Sequence, residues 1–208
     1  MCVRGTFLAV GLAVLAETGA AEEFDFLKPE AVRAAYVADR AGWEEVPPMV
    51  VQAFVLAEDK RFWEKSAFRS TVTQNIGRWY PETSSVPRTP HRATTLAGAQ
   101  ALEHEEIADW FVNRVFLGRG CFGVAGAAEA YFGKPVAALA VQEVAYLAIL
   151  PKGPADLHPV RAKDKAVERR NWLLGEMVEA GLLADEVAGD AKGMPLGVRK
   201  PLGTCDVK

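Results

Sequence analysis

The sequence carries little excess charge of either sign, and this limits its partners. Its 24 Lys and Arg residues against 27 Asp and Glu residues give a formal net charge of −3. Proteins that bind nucleic acids present a basic face or a basic run to the phosphate backbone, and the sequence has no such run. We therefore expect no nucleic-acid partner. A local basic cleft for one or two phosphates remains compatible with this composition.

Cysteine is also scarce, with three residues in the whole chain: Cys2, Cys121 and Cys205. Cys121 lies in the glycine-rich stretch GRGCFGVAG and has the character of a small core residue. Two isolated thiols do not form the framework of a disulfide-stabilised secreted domain. A disulfide between Cys121 and Cys205 is chemically allowed outside the cytoplasm, but we expect both thiols to be unpaired.

Long hydrophobic runs are missing as well. Residues 1–21 contain an early Arg4, an apolar stretch from Gly5 to Ala16, and small residues up to Ala21. A helix needs about 20 apolar residues to cross a bilayer, and this stretch has only about 12. It favours a cleaved secretory signal over a retained anchor or a buried N-terminal helix. The remaining chain is then exported.

Helical patterning fills most of the remaining sequence. At 208 residues and 50% hydrophobic residues, the chain fits one globular domain with a sizeable core. Alternating strand-type patterns are almost absent, so we predict a mainly α fold with one loop-rich interruption over residues 80–92. The predicted helical stretches are PEAVRAAYVADRAG, VPPMVVQAFVLAEDKRFW, EEIADWFVNRVFLG, GVAGAAEAYFG, PVAALAVQEVAYLAILPKGP and AKDKAVERRNWLLGEMVEAG.

One of these stretches places four charges at the end of an apolar run. In AFVLAEDKRFWEK, residues 53–65, the charged residues Glu58, Asp59, Lys60 and Arg61 stand between apolar residues. Such a run could be a solvated helix face with ion pairs three and four residues apart. Alternatively, the helix delivers a carboxylate to the wall of a cleft, where partial desolvation makes it a better base.

Six motifs in fixed order favour the second interpretation. They are AEDKRFW, STVTQNIGR, ADWFVNRVFLG, AAEAYFGKP, EVAYLAILPKGP and ERRNWLLGEM. Together they resemble the glycosyltransferase domain of the bifunctional penicillin-binding proteins and the monofunctional peptidoglycan transglycosylases, glycosyltransferase family 51. The resemblance covers roughly residues 43–195. Six ordered matches are far more specific than any single short motif.

The resemblance implies a lysozyme-like, mainly helical glycosyltransferase domain. The implied organisation is a signal at 1–21, a helical lead-in at 22–42, the glycosyltransferase domain at 43–195 and an irregular tail at 196–208. The implied activity is polymerisation of lipid II into glycan strands, with release of undecaprenyl pyrophosphate. The implied partners are lipid II, nascent glycan, the membrane surface and other cell-wall synthesis proteins, at the periplasmic side of the cytoplasmic membrane. Mg²⁺ or Mn²⁺ is implied as a cofactor, although the sequence shows no dedicated metal-binding cluster.

The resemblance also assigns roles to individual residues. Glu58 matches the general base that removes the proton from the acceptor 4-hydroxyl, while Asp59, Lys60 and Arg61 would orient it and contact the substrate. Arg78 and Arg92 would bind phosphates, because a guanidinium group forms strong charge-assisted hydrogen bonds to phosphate oxygens. The other implied substrate-binding residues are Ser70, Thr71, Thr73, Gln74, Asn75 and Asn113. For Asn113 and Asp109, which share one helix face, we favour a buried polar network over direct substrate contact.

The sequence departs from the family pattern in two places. FWEKSAFRSTVTQ runs directly from the first motif to the second and omits the stretch that forms the mobile jaw, so a reduced jaw subdomain is expected. Lys65 and its neighbours replace the usual histidine and acidic residue. The glutamate of the third motif falls on Thr94 or Thr95, with only His91 and Arg92 basic nearby. Loss of a transition-state interaction of this kind typically slows a reaction by ~10²-fold or more.

Three functions therefore stay open at this point. The first is a peptidoglycan glycosyltransferase, favoured by the retained EDKRFW motif. The second is a catalytically impaired relative that binds lipid II or glycan as a cell-wall scaffold, favoured by the missing glutamate. The third is lytic cleavage of glycan, which rests on fold analogy alone. A transpeptidase is not expected, because no Ser-x-x-Lys nucleophile with its partner triplets is assembled.

Overall fold

The computed structural model describes residues 28–79 and 91–205, without the side chains of Trp79 and residues 91–94. The signal predicted at residues 1–21 therefore lies outside the described residues, as does most of the loop predicted at 80–92. Nine α-helices occur in the described ranges: α1 Pro29–Arg40, α2 Pro48–Glu58, α3 Thr71–Trp79, α4 His91–Ala101, α5 His104–Arg114, α6 Val124–Phe132, α7 Val141–Ile149, α8 Lys163–Glu179 and α9 Asp185–Gly193. Short 3₁₀ turns lie at Ala67–Arg69, Val136–Ala138 and Leu150–Lys152.

The described residues form no β-strand, and their only β-type pairing is a single bridge between Phe116 and Phe122. This confirms the prediction of a mainly α fold. Within the same ranges, no helix is both long and apolar enough to cross a bilayer.

Helix α7 forms the centre of the core. Every residue from Glu143 to Leu150 is buried, because the helix packs against α2, α6 and α8 on different sides. A helix that is apolar all round is stable only when it is surrounded in this way. Glu143 is the polar exception: it accepts a hydrogen bond from the Ala140 backbone N–H and pairs with Lys134 at 2.7 Å. The carboxylate thus satisfies the first turn of the helix and is itself neutralised.

Local sequence sets the ends of several helices. Pro47 and Pro48 begin α2, where a missing N–H costs nothing, and Gly133 ends α6 in the left-handed conformation. Glu103 and Glu106 form a reciprocal cap at the start of α5. Two predicted helical stretches ran too far: α2 ends at Glu58 and not at Trp63, and α5 ends at Arg114 and not at Gly118, because turns follow both helices.

A tight turn over residues 115–123 joins α5 to α6. Gly118, Arg119 and Gly120 all have positive φ, and a Cβ at Gly123 would lie 2.2 Å from the Asn113 carbonyl oxygen. Glycine at position 123 is therefore required by both its conformation and its neighbour.

The tail after α9 lies across this turn and across α6. Backbone N–H groups of Arg199 and Gly203 donate to the carbonyls of Tyr131 and Ala130 at 2.8 and 2.7 Å, and Cys205 N–H donates to Arg119. A disulfide joins Cys121 to Cys205. The prediction of two unpaired thiols was wrong, because the backbone contacts of the tail bring residues 84 positions apart into bonding distance. Sequence spacing alone does not reveal that approach.

Candidate active site

Glu58 is the last residue of α2 and lies where three segments meet. Its side chain is 10% exposed, and its Oε2 is 2.7 Å from the Lys152 ammonium nitrogen. Its backbone carbonyl accepts hydrogen bonds from the Thr71 hydroxyl at 3.2 Å and from Lys152 at 3.3 Å. The start of α3 and the turn Leu150–Lys152 therefore both contact this residue of the first motif. An almost buried carboxylate beside a single cation can exchange a proton with a bound hydroxyl group.

Asp59 connects the first and second motifs. Its Oδ2 accepts hydrogen bonds from the Ser70 hydroxyl at 2.9 Å and the Thr71 N–H at 3.2 Å, and lies 2.7 Å from the Lys65 ammonium. Burial raises the pKa of Asp59, but the hydrogen bonds from Lys65, Ser70 and the Arg61 N–H, with the charge of Lys65, outweigh it and hold the pKa below its usual value. Asp59 is therefore an anchor for α3. Lys65 supplies its counter-charge.

The side chains of Lys60 and Arg61 contact partners other than Glu58. Lys60 pairs with Glu176 of α8 and lies 5.6 Å from the centroid of the Trp172 ring. Arg61 pairs with Glu64 at 3.2 Å on a strongly exposed surface. The structure therefore gives Lys60 a link to α8 and leaves Arg61 on a solvated surface.

The second motif divides between two faces of α3. Ser70 and Thr73 are buried: the Ser70 hydroxyl accepts from the Val72 N–H and caps the helix, while the Thr73 hydroxyl has no hydrogen-bond partner among the described residues. The predicted substrate contacts of these two residues are not supported, because both face the core. Gln74 is half-buried.

The outward face of α3 carries a polar row that begins at Glu58. Thr71 contacts the Glu58 carbonyl, Asn75 donates to the Thr71 carbonyl at 3.0 Å, and Arg78 donates to the Asn75 side chain at 3.5 Å. Residues three, four and seven positions apart lie on one face of a helix, so Arg78 stands about two turns from the base along this row. The guanidinium is exposed and accessible to an anion. Arg92 belongs to α4, and its side chain lies outside the described part of the chain.

Asn113 does not reach this surface. Its amide donates to the Asp109 backbone carbonyl at 2.9 Å and to the Asp109 Oδ1 at 3.2 Å. The Asp109 Oδ2 in turn accepts from the Tyr36 hydroxyl and the Arg40 guanidinium, each at 3.2 Å. Burial and the adjacent Asp109 carboxylate raise the pKa of Tyr36 to about 12. These contacts form the polar network favoured from the sequence, and Asn113 is better described as a structural residue than as a substrate contact.

The position expected for the third-motif glutamate is also resolved in part. Thr95 is buried at 2% exposure within α4, so it presents no polar group to a ligand. The side chain of Thr94 lies outside the described residues.

A basic cleft of about 480 Å³ is lined in part by Lys152, the lysine that pairs with Glu58. The cations along its wall are Lys152, Lys165 and Arg169, and the Arg169 guanidinium stacks 3.7 Å from the centroid of the Trp172 ring. Asp156 and Glu168 line the same cleft. Three cations and two carboxylates leave the lining with a net charge of +1, and its cations can bind a phosphorylated ligand.

A comparison with known protein families shows which family this chain belongs to. The family model described as transglycosylase matches residues 69–178, which is more than half of the chain. This chain belongs to the transglycosylase family. The resemblance stated from the six motifs is thereby confirmed, and the domain is a glycosyltransferase domain of the type found in penicillin-binding proteins. The matched range begins after Glu58 and includes α3, Lys152 and the basic cleft.

The relatives of this transglycosylase are much longer proteins. Penicillin-binding protein 1A of Escherichia coli is 32% identical over 167 residues, covering 69% of this chain and 20% of the relative. Penicillin-binding protein 1A of Aquifex aeolicus is 30% identical over 181 residues, covering 76% and 25%. The crystal structure of penicillin-binding protein 1A from Haemophilus influenzae is 26% identical with a TM-score of 0.48, covering 75% of this chain and 17% of that one. The chain thus spans about a fifth to a quarter of the curated relatives it matches.

Lys152, Lys165 and Arg169 of this transglycosylase were not predicted from the sequence as site residues. EVAYLAILPKGP and ERRNWLLGEM served there only as marks of the family. A signal was present, since a lysine directly after a buried helix and an arginine pair on a helix are charged groups at the edge of the core. Their approach to Glu58 depends on how α7 and α8 pack on α2, and the local sequence does not predict that packing.

Proposed function

We propose that this transglycosylase polymerises lipid II into glycan strands and releases undecaprenyl pyrophosphate. The observation that supports this most strongly is the position of Glu58, an almost buried carboxylate at the end of α2, paired with Lys152 and next to a cleft lined by cations. A sugar linked to a pyrophosphate needs both features, a base for the acceptor hydroxyl and positive charge for the departing group.

In this proposal, Glu58 takes the proton from the 4-hydroxyl of the acceptor sugar. The hydroxyl oxygen then forms a bond to the anomeric carbon of the donor, while the bond from that carbon to the pyrophosphate oxygen breaks and its electron pair leaves with the pyrophosphate. Lys152 holds the carboxylate in place at 2.7 Å. Lys165, Arg169 and Arg78 provide charge for the two pyrophosphate groups.

The described residues do not fit a resident metal site. They include no group of three His, Cys, Asp or Glu side chains placed to hold an ion, and Glu58 and Asp59 are each paired with a lysine. We assign no step to a metal. Mg²⁺ or Mn²⁺ enters the proposal only as an ion bound through the substrate pyrophosphate, a usual mode for Mg²⁺.

The proposed location follows from the substrate. Lipid II is held in the membrane, so we propose that the protein is exported and acts at the periplasmic face of the cytoplasmic membrane, where nascent glycan and other cell-wall synthesis proteins are its partners.

A direct test is incubation of the purified full chain with fluorescently labelled lipid II and Mg²⁺ or Mn²⁺, followed by separation of glycan products by size. We expect polymer and free undecaprenyl pyrophosphate. Absence of both products over the range of ions and detergents that supports a bifunctional penicillin-binding protein would contradict the proposal.

A second function has one observation in its favour. Thr95 is buried and cannot replace the third-motif glutamate, and a loss of this kind typically slows a reaction by ~10²-fold or more. A protein that binds labelled lipid II in the same assay but forms no product would be a lipid II-binding scaffold. Binding without turnover therefore distinguishes the two functions.

A further inference from the structure

One aromatic side chain of α8 holds two cations at the basic cleft. Trp172 lines the cleft. The Arg169 guanidinium carbon lies 3.7 Å from the centroid of the Trp172 ring, and the Lys60 ammonium nitrogen lies 5.6 Å from the same centroid. The face of an aromatic ring attracts cations, and the indole of tryptophan does so most strongly. Trp172 therefore contacts one cation from its own helix and one from the turn that follows α2.

A row of side chains on α8 connects this aromatic residue to the first motif. Arg169, Trp172 and Glu176 lie on one face of the helix, because they are three, four and seven positions apart. Lys60 reaches this face from the first motif and pairs with the Glu176 carboxylate, which is 11% exposed. The ion pair fixes the ammonium group at one end of the row. The row thus joins the segment that follows Glu58 to the wall of the basic cleft.

The two cations on the ring differ in what they can offer to a ligand. Glu176 already neutralises Lys60. Within the described part of the chain, Arg169 forms no ion pair or hydrogen bond, and its stack on Trp172 is its polar or aromatic contact. A guanidinium group that stacks through its face keeps the N–H groups of its edge free, and these groups bind two phosphate oxygens at once. The stack therefore restrains Arg169 while its donors remain available.

We propose that Trp172 is a positioning residue for pyrophosphate binding, because it holds the Arg169 guanidinium in the orientation that binds a phosphoryl group. This inference rests on the proposed function, which supplies a sugar linked to pyrophosphate. A free arginine side chain loses rotamer freedom when it binds a phosphate, whereas a stacked arginine has lost part of that freedom beforehand. Trp172 thus acts on the ligand through Arg169 and not through a contact of its own.

The test is a double-mutant cycle on the full chain, with inorganic pyrophosphate as the ligand and calorimetry as the measurement. Its four members are the unmodified chain, Trp172→Leu, Arg169→Gln and the double variant. Leucine is apolar and suits a helix, but it offers no face to a cation. Trp172→Tyr is the conservative variant, because it retains an aromatic face. Trp63→Leu is the matched control, since Trp63 is 46% exposed and does not line the basic cleft.

We expect Trp172→Leu to weaken pyrophosphate binding by about three- to tenfold, which is the range of a partly exposed cation–π contact. Trp172→Tyr should keep most of the affinity, and Trp63→Leu should bind like the unmodified chain. In the Arg169→Gln background, Trp172→Leu should cause no further loss, because the residue through which it acts is already absent. Lys152 and Lys165 remain in that background and keep binding measurable.

Three results would overturn the inference. The first is no binding of pyrophosphate by the unmodified chain, and the second is an unchanged affinity in Trp172→Leu. The third is an equal loss from Trp172→Leu with and without Arg169, which would show that the tryptophan supports the fold of the cleft and does not act through the guanidinium. None of these measurements needs turnover. Failure of lipid II polymerisation would therefore contradict the proposed function and leave the cycle to be read by itself.

Discussion

At the residue scale, Lys152 decides how firmly the Glu58 carboxylate is held. The lysine contacts both the side chain and the backbone carbonyl of Glu58, at 2.7 and 3.3 Å. We predict that Lys152→Met lowers the rate of lipid II polymerisation by about tenfold or more, because an almost buried carboxylate loses its partner and its fixed orientation. The rate should be compared with that of Lys163→Met, which removes an exposed lysine outside the basic cleft. Equal rates for the two variants would refute a role for Lys152.

The Asp59 carboxylate makes the free energy of unfolding depend on pH. Its folded pKa lies below the ordinary value of 3.8, so its contribution to stability is complete above pH 3.8 and is lost as the pH falls through the folded value. We predict that Asp59→Asn lowers the free energy of unfolding by about 1–2 kcal/mol at pH 7, since it weakens contacts to Lys65 and to the start of α3. Urea unfolding curves between pH 2 and 7 should show the two proteins converging at the acid end. A difference that stays constant over this range would show that the charge of Asp59 is not the cause.

At the element scale, the disulfide fastens the C-terminal tail to the turn between α5 and α6. Cys121 and Cys205 close a loop of 84 residues, which restricts the unfolded chain strongly. We predict that the double variant Cys121→Ala, Cys205→Ala loses about 2–5 kcal/mol of unfolding free energy relative to the oxidised protein. Cys2→Ala is the control and should unfold like the unmodified chain. Urea unfolding with and without dithiothreitol checks this.

Unfolding with and without reductant can be compared within the same experiment. Reductant should destabilise the unmodified protein and Cys2→Ala but leave the double variant unchanged. A double variant as stable as the oxidised protein would mean that the hydrogen bonds of Arg199, Gly203 and Cys205 to α6 and the turn hold the tail without the disulfide.

At the scale of the whole molecule, the local sequence predicted those features that depend on contacts within a single helix. The helical pattern and the polar network of Asp109 and Asn113 follow from spacing within one helix, whereas the stretch predicted to be helical through Trp63 ends at Glu58. The approach of Lys152 to Glu58 and of Cys205 to Cys121 joins segments 94 and 84 residues apart, so it depends on how helices pack. Burial of Ser70 and Thr73 was missed for the same reason. Polar residues of a motif look equivalent in sequence until the packed face of α3 is known.

The whole account depends on Glu58 acting as the base. The most direct measurement is the initial rate of polymerisation of labelled lipid II by the unmodified chain, Glu58→Gln and Glu64→Gln. The three proteins are compared at lipid II concentrations that occupy the same fraction of each. Glu64 belongs to the same motif but is exposed and pairs only with Arg61 in the described structure, so its amide variant is the matched control. We predict a loss of about 10²-fold or more for Glu58→Gln and little change for Glu64→Gln. Equal activity of the unmodified chain and Glu58→Gln would contradict the central claim.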